Sequence, residues 1–125
     1  MRAIRSIVLF IVFSLMPCFG FSTETKEIAY LRNMAKSTKD SVKLIKVLYS
    51  LGWELGFEDL KEGLLITEEA LRLALKYKDR AMEAQLYDAI GTFYHDMGDA
   101  EKAVDYHKKA IELFYQLQHL LNQDV

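Results

Sequence analysis

The chain has 125 residues, of which 51% are apolar and 27% charged, and this length allows one small domain. Its net charge of −2 excludes the strongly basic surface that nucleic-acid binding requires, so we expect no nucleic-acid partner. A single cysteine, Cys18, excludes an internal disulfide, and the single proline, Pro17, lies close to the start. Because no proline follows it, an all-α fold is expected.

Residues 1–22 have the three-part order of a secretory signal peptide. A positively charged start precedes an apolar run that is shorter than the roughly 20 residues of a transmembrane helix. We expect cleavage after Gly20, with Ser22 as the second choice, and export to the periplasm or cell exterior of a bacterium. Two alternatives are open. The segment could stay as an uncleaved anchor, the one case in which we expect membrane contact, or Cys18 could be lipidated, which the preceding Pro17 disfavours.

A short capping helix is predicted within residues 23–39, directly after the leader. Ser22 or Thr23 is the expected N-cap. Ile28 and Leu31 belong to an apolar stripe at helical spacing, and this stripe is expected to cover the end of the first repeat.

Residues 40–125 are predicted to form two helical hairpins, at about 41–78 and 80–121. Equivalent small residues recur 39 or 40 positions apart in the two halves: Gly52 and Gly91, Gly63 and Ala103, Ala70 and Ala110. Both helices of the hairpin recur, so we interpret the domain as a duplicated hairpin.

The first hairpin is predicted to begin with a helix from Ser41 to Leu55, in which leucines recur at helical spacing. Asp40 or Ser41 is its expected N-cap. A turn is predicted at residues 56–59, and Asp59 is expected to cap the following helix.

The second hairpin carries the clearest pattern, between Tyr87 and Leu113. Gly98 tolerates a positive φ between the two helices, and Asp99 is a good N-cap for the second. Aromatic, aliphatic and small residues alternate along both helices: Tyr87, Ile90, Gly91, Tyr94, Ala103 and Ala110. This order resembles the tetratricopeptide repeat, a helix-turn-helix unit of about 34 residues. Tyr115 stands where proline usually ends the unit, so the last helix is expected to run on.

The resemblance implies an all-α stack of about two tetratricopeptide-like hairpins plus a short N-terminal helix. It also implies a non-catalytic, cofactor-free module that binds a protein or peptide. The 39–40 residue spacing and the segment 48–80 resemble the sensing regions of Bacteroidetes-type histidine kinases and transcriptional regulators. The alternative function is therefore the sensory N-terminal region of a larger signal-transduction protein.

In proteins of this kind the first helix of each hairpin lines a concave groove. By position in the repeat, the candidate groove contacts are Lys46, Tyr49, Trp53, Gln85, Asp88, Thr92, His95 and Asp96. Tyr49 and Trp53 are one helical turn apart, which suits an aromatic platform. The alternative is that Trp53 caps the short stack and is partly buried.

A second candidate surface is an apolar stripe on the last helix. The candidate docking face consists of Phe114, Leu117, Leu120 and Leu121. Either these residues fold back along the second hairpin, or they dock a further repeat, a partner or a second copy of the chain. Self-association through this helix is expected if the face stays open.

No catalytic, metal or cofactor site is predicted. The three histidines, His95, His107 and His119, are 12 residues apart, and this spacing lacks the i, i+4 pair of a helical zinc site. The chain carries no glycine-rich phosphate loop and no recognisable nucleophile–base order. A small exported enzyme is therefore disfavoured.

Overall fold

The structure is a computed structural model, and it describes residues 24–124. Within this range it contains five α-helices: α1 (Lys26–Ser37), α2 (Ser41–Glu58), α3 (Leu60–Lys76), α4 (Arg80–Asp96) and α5 (Ala100–Gln123). Each helix packs against the next along the chain, and α2 also contacts α4. The all-α stack of tetratricopeptide-like hairpins is confirmed. The predicted signal peptide lies outside the described residues.

Aspartates start the four helices of the two hairpins. Asp40, Asp59, Asp79 and Asp99 are the N-caps of α2, α3, α4 and α5, and each side chain accepts a hydrogen bond from a backbone N–H in the first turn. Such a cap contributes about 1 kcal/mol to helix stability. The caps at Asp40, Asp59 and Asp99 confirm the sequence predictions.

The N-cap of α1 was predicted wrongly. Thr25, not Ser22 or Thr23, holds this position, and its Oγ1 accepts a hydrogen bond from the backbone N–H of Ile28 at 3.3 Å. Several polar residues follow one another here, and the sequence pattern does not distinguish between them as caps. Ile28 is buried against α2, as predicted for a helix that covers the end of the stack.

The turn predicted at residues 56–59 is also wrong, because α2 continues to Glu58. Gly56 is a packing residue inside the helix and not a breaker. A Cβ atom at this position would collide with the ring of Phe93 on α4. A single residue, Asp59, therefore separates α2 from α3.

The two hairpins close through equivalent contacts of small residues. In the first, a Cβ atom on Gly52 would collide with the buried Thr67. In the second, a Cβ atom on Gly91 would lie 2.9 Å from the ring of His107. These pairs correspond through the repeat, so the duplication extends to the helix contacts. Gly98 has a φ of 84° between α4 and α5, which confirms its predicted role in the turn.

Candidate functional site

The first helices of the two hairpins lie side by side and form the floor of the candidate groove. The ring centroids of Trp53 on α2 and Phe93 on α4 are 5.3 Å apart, with an angle of 30° between the planes. Phe93 is buried and Trp53 is half-buried. The contact therefore places the last two turns of α2 next to the later turns of α4.

The α2 candidates differ in exposure. Lys46 is exposed, whereas Tyr49 and Trp53 are half-buried. The rings of Tyr49 and Trp53 meet edge to face, with centroids 6.3 Å apart and planes at 81°. The predicted aromatic pair is thus in contact, and its half-exposed rings border the α2–α4 junction.

The α4 candidates share the side of the helix that faces away from the core. Gln85, Asp88, His95 and Asp96 are exposed and Thr92 is half-buried. The buried residues of α4 occupy its other sides: Met82, Glu83, Ala84, Leu86, Ala89, Ile90, Gly91 and Phe93. These five residues therefore share a surface that solvent reaches at least in part, and their role as groove contacts stays a prediction.

Internal contacts already engage four of the polar candidates. The Asp88 carboxylate lies 3.0 Å from Nδ1 of His107 on α5. The Asp96 carboxylate lies 3.3 Å from Nδ1 of its neighbour His95. The Thr92 hydroxyl donates to the backbone carbonyl of Asp88 at 3.1 Å. The Asp88 carboxylate thus contributes to the contact between α4 and α5, while the Asp96 carboxylate contacts an exposed neighbour on its own helix.

Phe57 is absent from the predicted groove contacts. Phe57 is 83% exposed, which is the highest value among the large apolar residues of the described region. Because α2 continues through Gly56, Phe57 lies one turn after Trp53 on the same side of the helix. The spacing of Tyr49, Trp53 and Phe57 was visible in the sequence, but the prediction of a turn at Gly56 separated the third aromatic from the other two.

Three tyrosines line the junction of α4 and α5. Tyr94 and Tyr106 stack at 5.5 Å with planes at 14°, and the Tyr87 ring lies 6.1 Å from that of Tyr106. The Lys109 ammonium lies 4.9 Å from the Tyr106 centroid. Burial raises the pKa of Tyr87 and of Tyr106 above the ordinary value of a phenol. Tyr87 and Tyr94, which belong to the repeat pattern, therefore pack against α5.

The candidate docking face lies where α5 outruns α4. Nη2 of Arg80, at the start of α4, lies 3.2 Å from Oε1 of Gln116, and α5 continues for seven further residues to Gln123. Phe114, Leu120 and Leu121 are exposed by 44%, 59% and 71%, and Leu117 is half-buried. Residues 24–124 therefore leave most of this face uncovered and show no fold-back onto the second hairpin.

Two structural properties bear on alternative functions. Residues 24–124 contain no group of three or more His, Cys, Asp or Glu side chains arranged to hold a metal ion. No helix in this part of the chain is long and apolar enough to cross a membrane.

Sequence comparison finds similarity to a protein with tetratricopeptide repeats. The chain is 30% identical over 83 residues to tetratricopeptide repeat protein 29 of Trypanosoma brucei brucei (strain 927/4 GUTat10.1). The match covers 66% of this chain but only 17% of the relative. No protein-family model and no solved structure matches the chain. Over these 83 residues the chain is thus similar in sequence to a tetratricopeptide repeat protein, and its paired helices are consistent with this similarity.

Proposed function

We propose that this chain is a non-catalytic module that binds a protein or peptide in the groove formed by α2 and α4. The observation that carries the proposal is that each of these two helices has one buried side and one outward side. Their small and aliphatic residues are buried in the stack, while Lys46, Gln85 and Asp96 share the outward side with half-exposed aromatics. Similarity to a tetratricopeptide repeat protein supports a role in protein interaction. The proposal requires no cofactor.

Affinity capture with the full chain, followed by mass spectrometry, tests this function. Thr92→Arg places a long charged side chain on the outward side of α4, and we expect it to abolish recovery of proteins captured through the groove. Leu65→Arg is the matched control, because Leu65 is 62% exposed on α3, away from the groove helices. Recovery of the same proteins with Thr92→Arg as with the original chain would contradict groove binding.

We also propose that the protein is exported and that its mature form begins at Phe21. The order of charged, apolar and small residues in the leader supports this cleavage site. N-terminal sequencing of the exported protein should therefore read Phe21 as the first residue. An intact Met1 recovered in the membrane fraction would instead indicate an uncleaved anchor, and the cleavage proposal would fail.

Signal sensing is the alternative function. It is supported by the resemblance of residues 48–80 and of the 39–40 residue spacing to bacterial sensing regions. The genomic sequence after Val125 distinguishes the two functions. A reading frame that continues into a membrane span and a kinase or regulator domain would favour the sensory function.

We also propose that the chain self-associates through the exposed end of α5. The face of Phe114, Leu117, Leu120 and Leu121 continues the apolar side of the last helix beyond the start of α4. A second copy of the chain would cover this face without any other partner.

A further inference from the structure

The α2–α4 groove carries an aromatic row that ends in an exposed ring. Tyr49, Trp53 and Phe57 follow one another at successive turns of α2. Trp53 is held in place by its contacts with Tyr49 and Phe93, whereas Phe57 is 83% exposed. A large aromatic ring left in water, one helical turn after a pair of rings in contact, offers a partly built stacking surface.

The charges along the groove are unevenly distributed. At the start of α2 the exposed groups are cationic, with Lys43 and Lys46. At the aromatic end they are anionic, because the exposed Glu58 follows Phe57 on α2 and the exposed Asp96 lies on the last turn of α4; the half-buried Glu54 adds a third negative charge. The aromatic row therefore ends in a region of negative charge.

The position of Asp96 relates the negative charge to the aromatic row. It follows Phe93 by three residues on α4, and the Phe93 ring contacts both Trp53 and the Gly56 turn that precedes Phe57. The Asp96 side chain is 49% exposed. Asp96 and Phe57 therefore belong to the turns of α4 and α2 that adjoin the Phe93 contact.

We propose that this end of the groove binds an arginine side chain of an extended peptide. The flat guanidinium would stack on the Phe57 and Trp53 rings while its N–H groups donate to the Asp96 carboxylate. Arginine suits the site better than lysine because its planar group can stack and bind a carboxylate in the same pose. This inference rests on the proposed function, because it specifies the residue that the peptide groove selects.

A random peptide library displayed on phage and selected on the immobilised full chain tests the inference. We expect the selected peptides to share an arginine at one position. Replacing that arginine by glutamine in a synthetic copy of the best peptide should weaken binding by about tenfold, and replacing it by lysine should weaken binding less. Fluorescence anisotropy measures both affinities.

Variants of the chain locate the arginine site. Phe57→Ala and Asp96→Asn should each weaken binding of the arginine peptide by about tenfold and leave the glutamine peptide nearly unaffected. The matched controls, Leu65→Ala on α3 and Asp105→Asn on α5, also change exposed residues and should bind like the original chain. Thermal melting confirms that each variant folds.

The outcomes separate the inference from the function on which it rests. If peptides are selected without a shared arginine, or if Phe57→Ala and Asp96→Asn bind the arginine peptide normally, arginine recognition is wrong and peptide binding stands. If the original chain selects no peptide, the groove proposal fails as well.

Discussion

Gly63→Ala is expected to lower the free energy of unfolding by about 2 kcal/mol or more. A Cβ atom on Gly63 would lie 2.6 Å from Cα of Gly56 and 2.7 Å from both the Gly56 nitrogen and the Gly52 carbonyl oxygen. All three are backbone atoms, so the clash is relieved only if α2 and α3 separate. Overpacking of this kind costs about 3 kcal/mol at the upper end of its usual range, and the better helix propensity of alanine offsets up to about 1 kcal/mol. Urea unfolding measures the difference.

Gly91→Ala is the matched comparison on the second hairpin. Here the Cβ atom would meet the His107 ring at 2.9 Å, and this ring belongs to a half-buried side chain. Because a side chain can rotate where a backbone cannot, we expect Gly91→Ala to change the free energy of unfolding by at most about 1 kcal/mol. Equal stabilities of the Gly63→Ala variant and the original chain would show that the α2–α3 contact tolerates the extra methyl group.

The sequence predicted the helical architecture well because its strongest local signals agree with the packing. Asp40, Asp59 and Asp99 mark helix starts, and Gly98 marks a turn, through interactions that involve only neighbouring residues. Gly56 shows where this approach fails. A glycine reads as a breaker when the local sequence is considered alone, but here a ring on another helix requires it.

The interpretation of Gly56 as a helix breaker also limited the prediction of the candidate site. Gln85, His95 and Asp96 are exposed on one side of α4, because the helical period fixes which residues share a face, and their role as groove contacts stays a prediction. Phe57 was lost because its assignment depended on whether α2 passes through Gly56. The contact between Asp88 and His107 was also unpredictable, since the two residues are 19 positions apart on different helices.

The two ends of the stack differ, and the difference bears on self-association. At the N-terminal end α1 covers α2 with buried Ile28 and Leu31, and Nη2 of Arg32 lies 2.7 Å from Oε1 of Glu62 on α3. At the other end, the described residues leave Leu120 and Leu121 largely exposed. If two copies of the chain associate through this uncovered end, the same surface of each copy forms the contact. Such a contact closes as a two-fold dimer and does not extend into a filament.

We therefore expect the isolated protein to sediment as a dimer and the double variant Leu117→Glu, Leu121→Glu to sediment as a monomer at the same concentration. Burying each leucine would contribute about 1.5–3 kcal/mol, and glutamate at both positions removes this gain and adds like charges across the two-fold axis. Because Leu117 is half-buried within one chain, Leu120→Glu with Leu121→Glu provides a second variant that changes only exposed residues. Leu65→Glu on α3 is the control and should stay dimeric. An original chain that is monomeric at high concentration would rule out this interface.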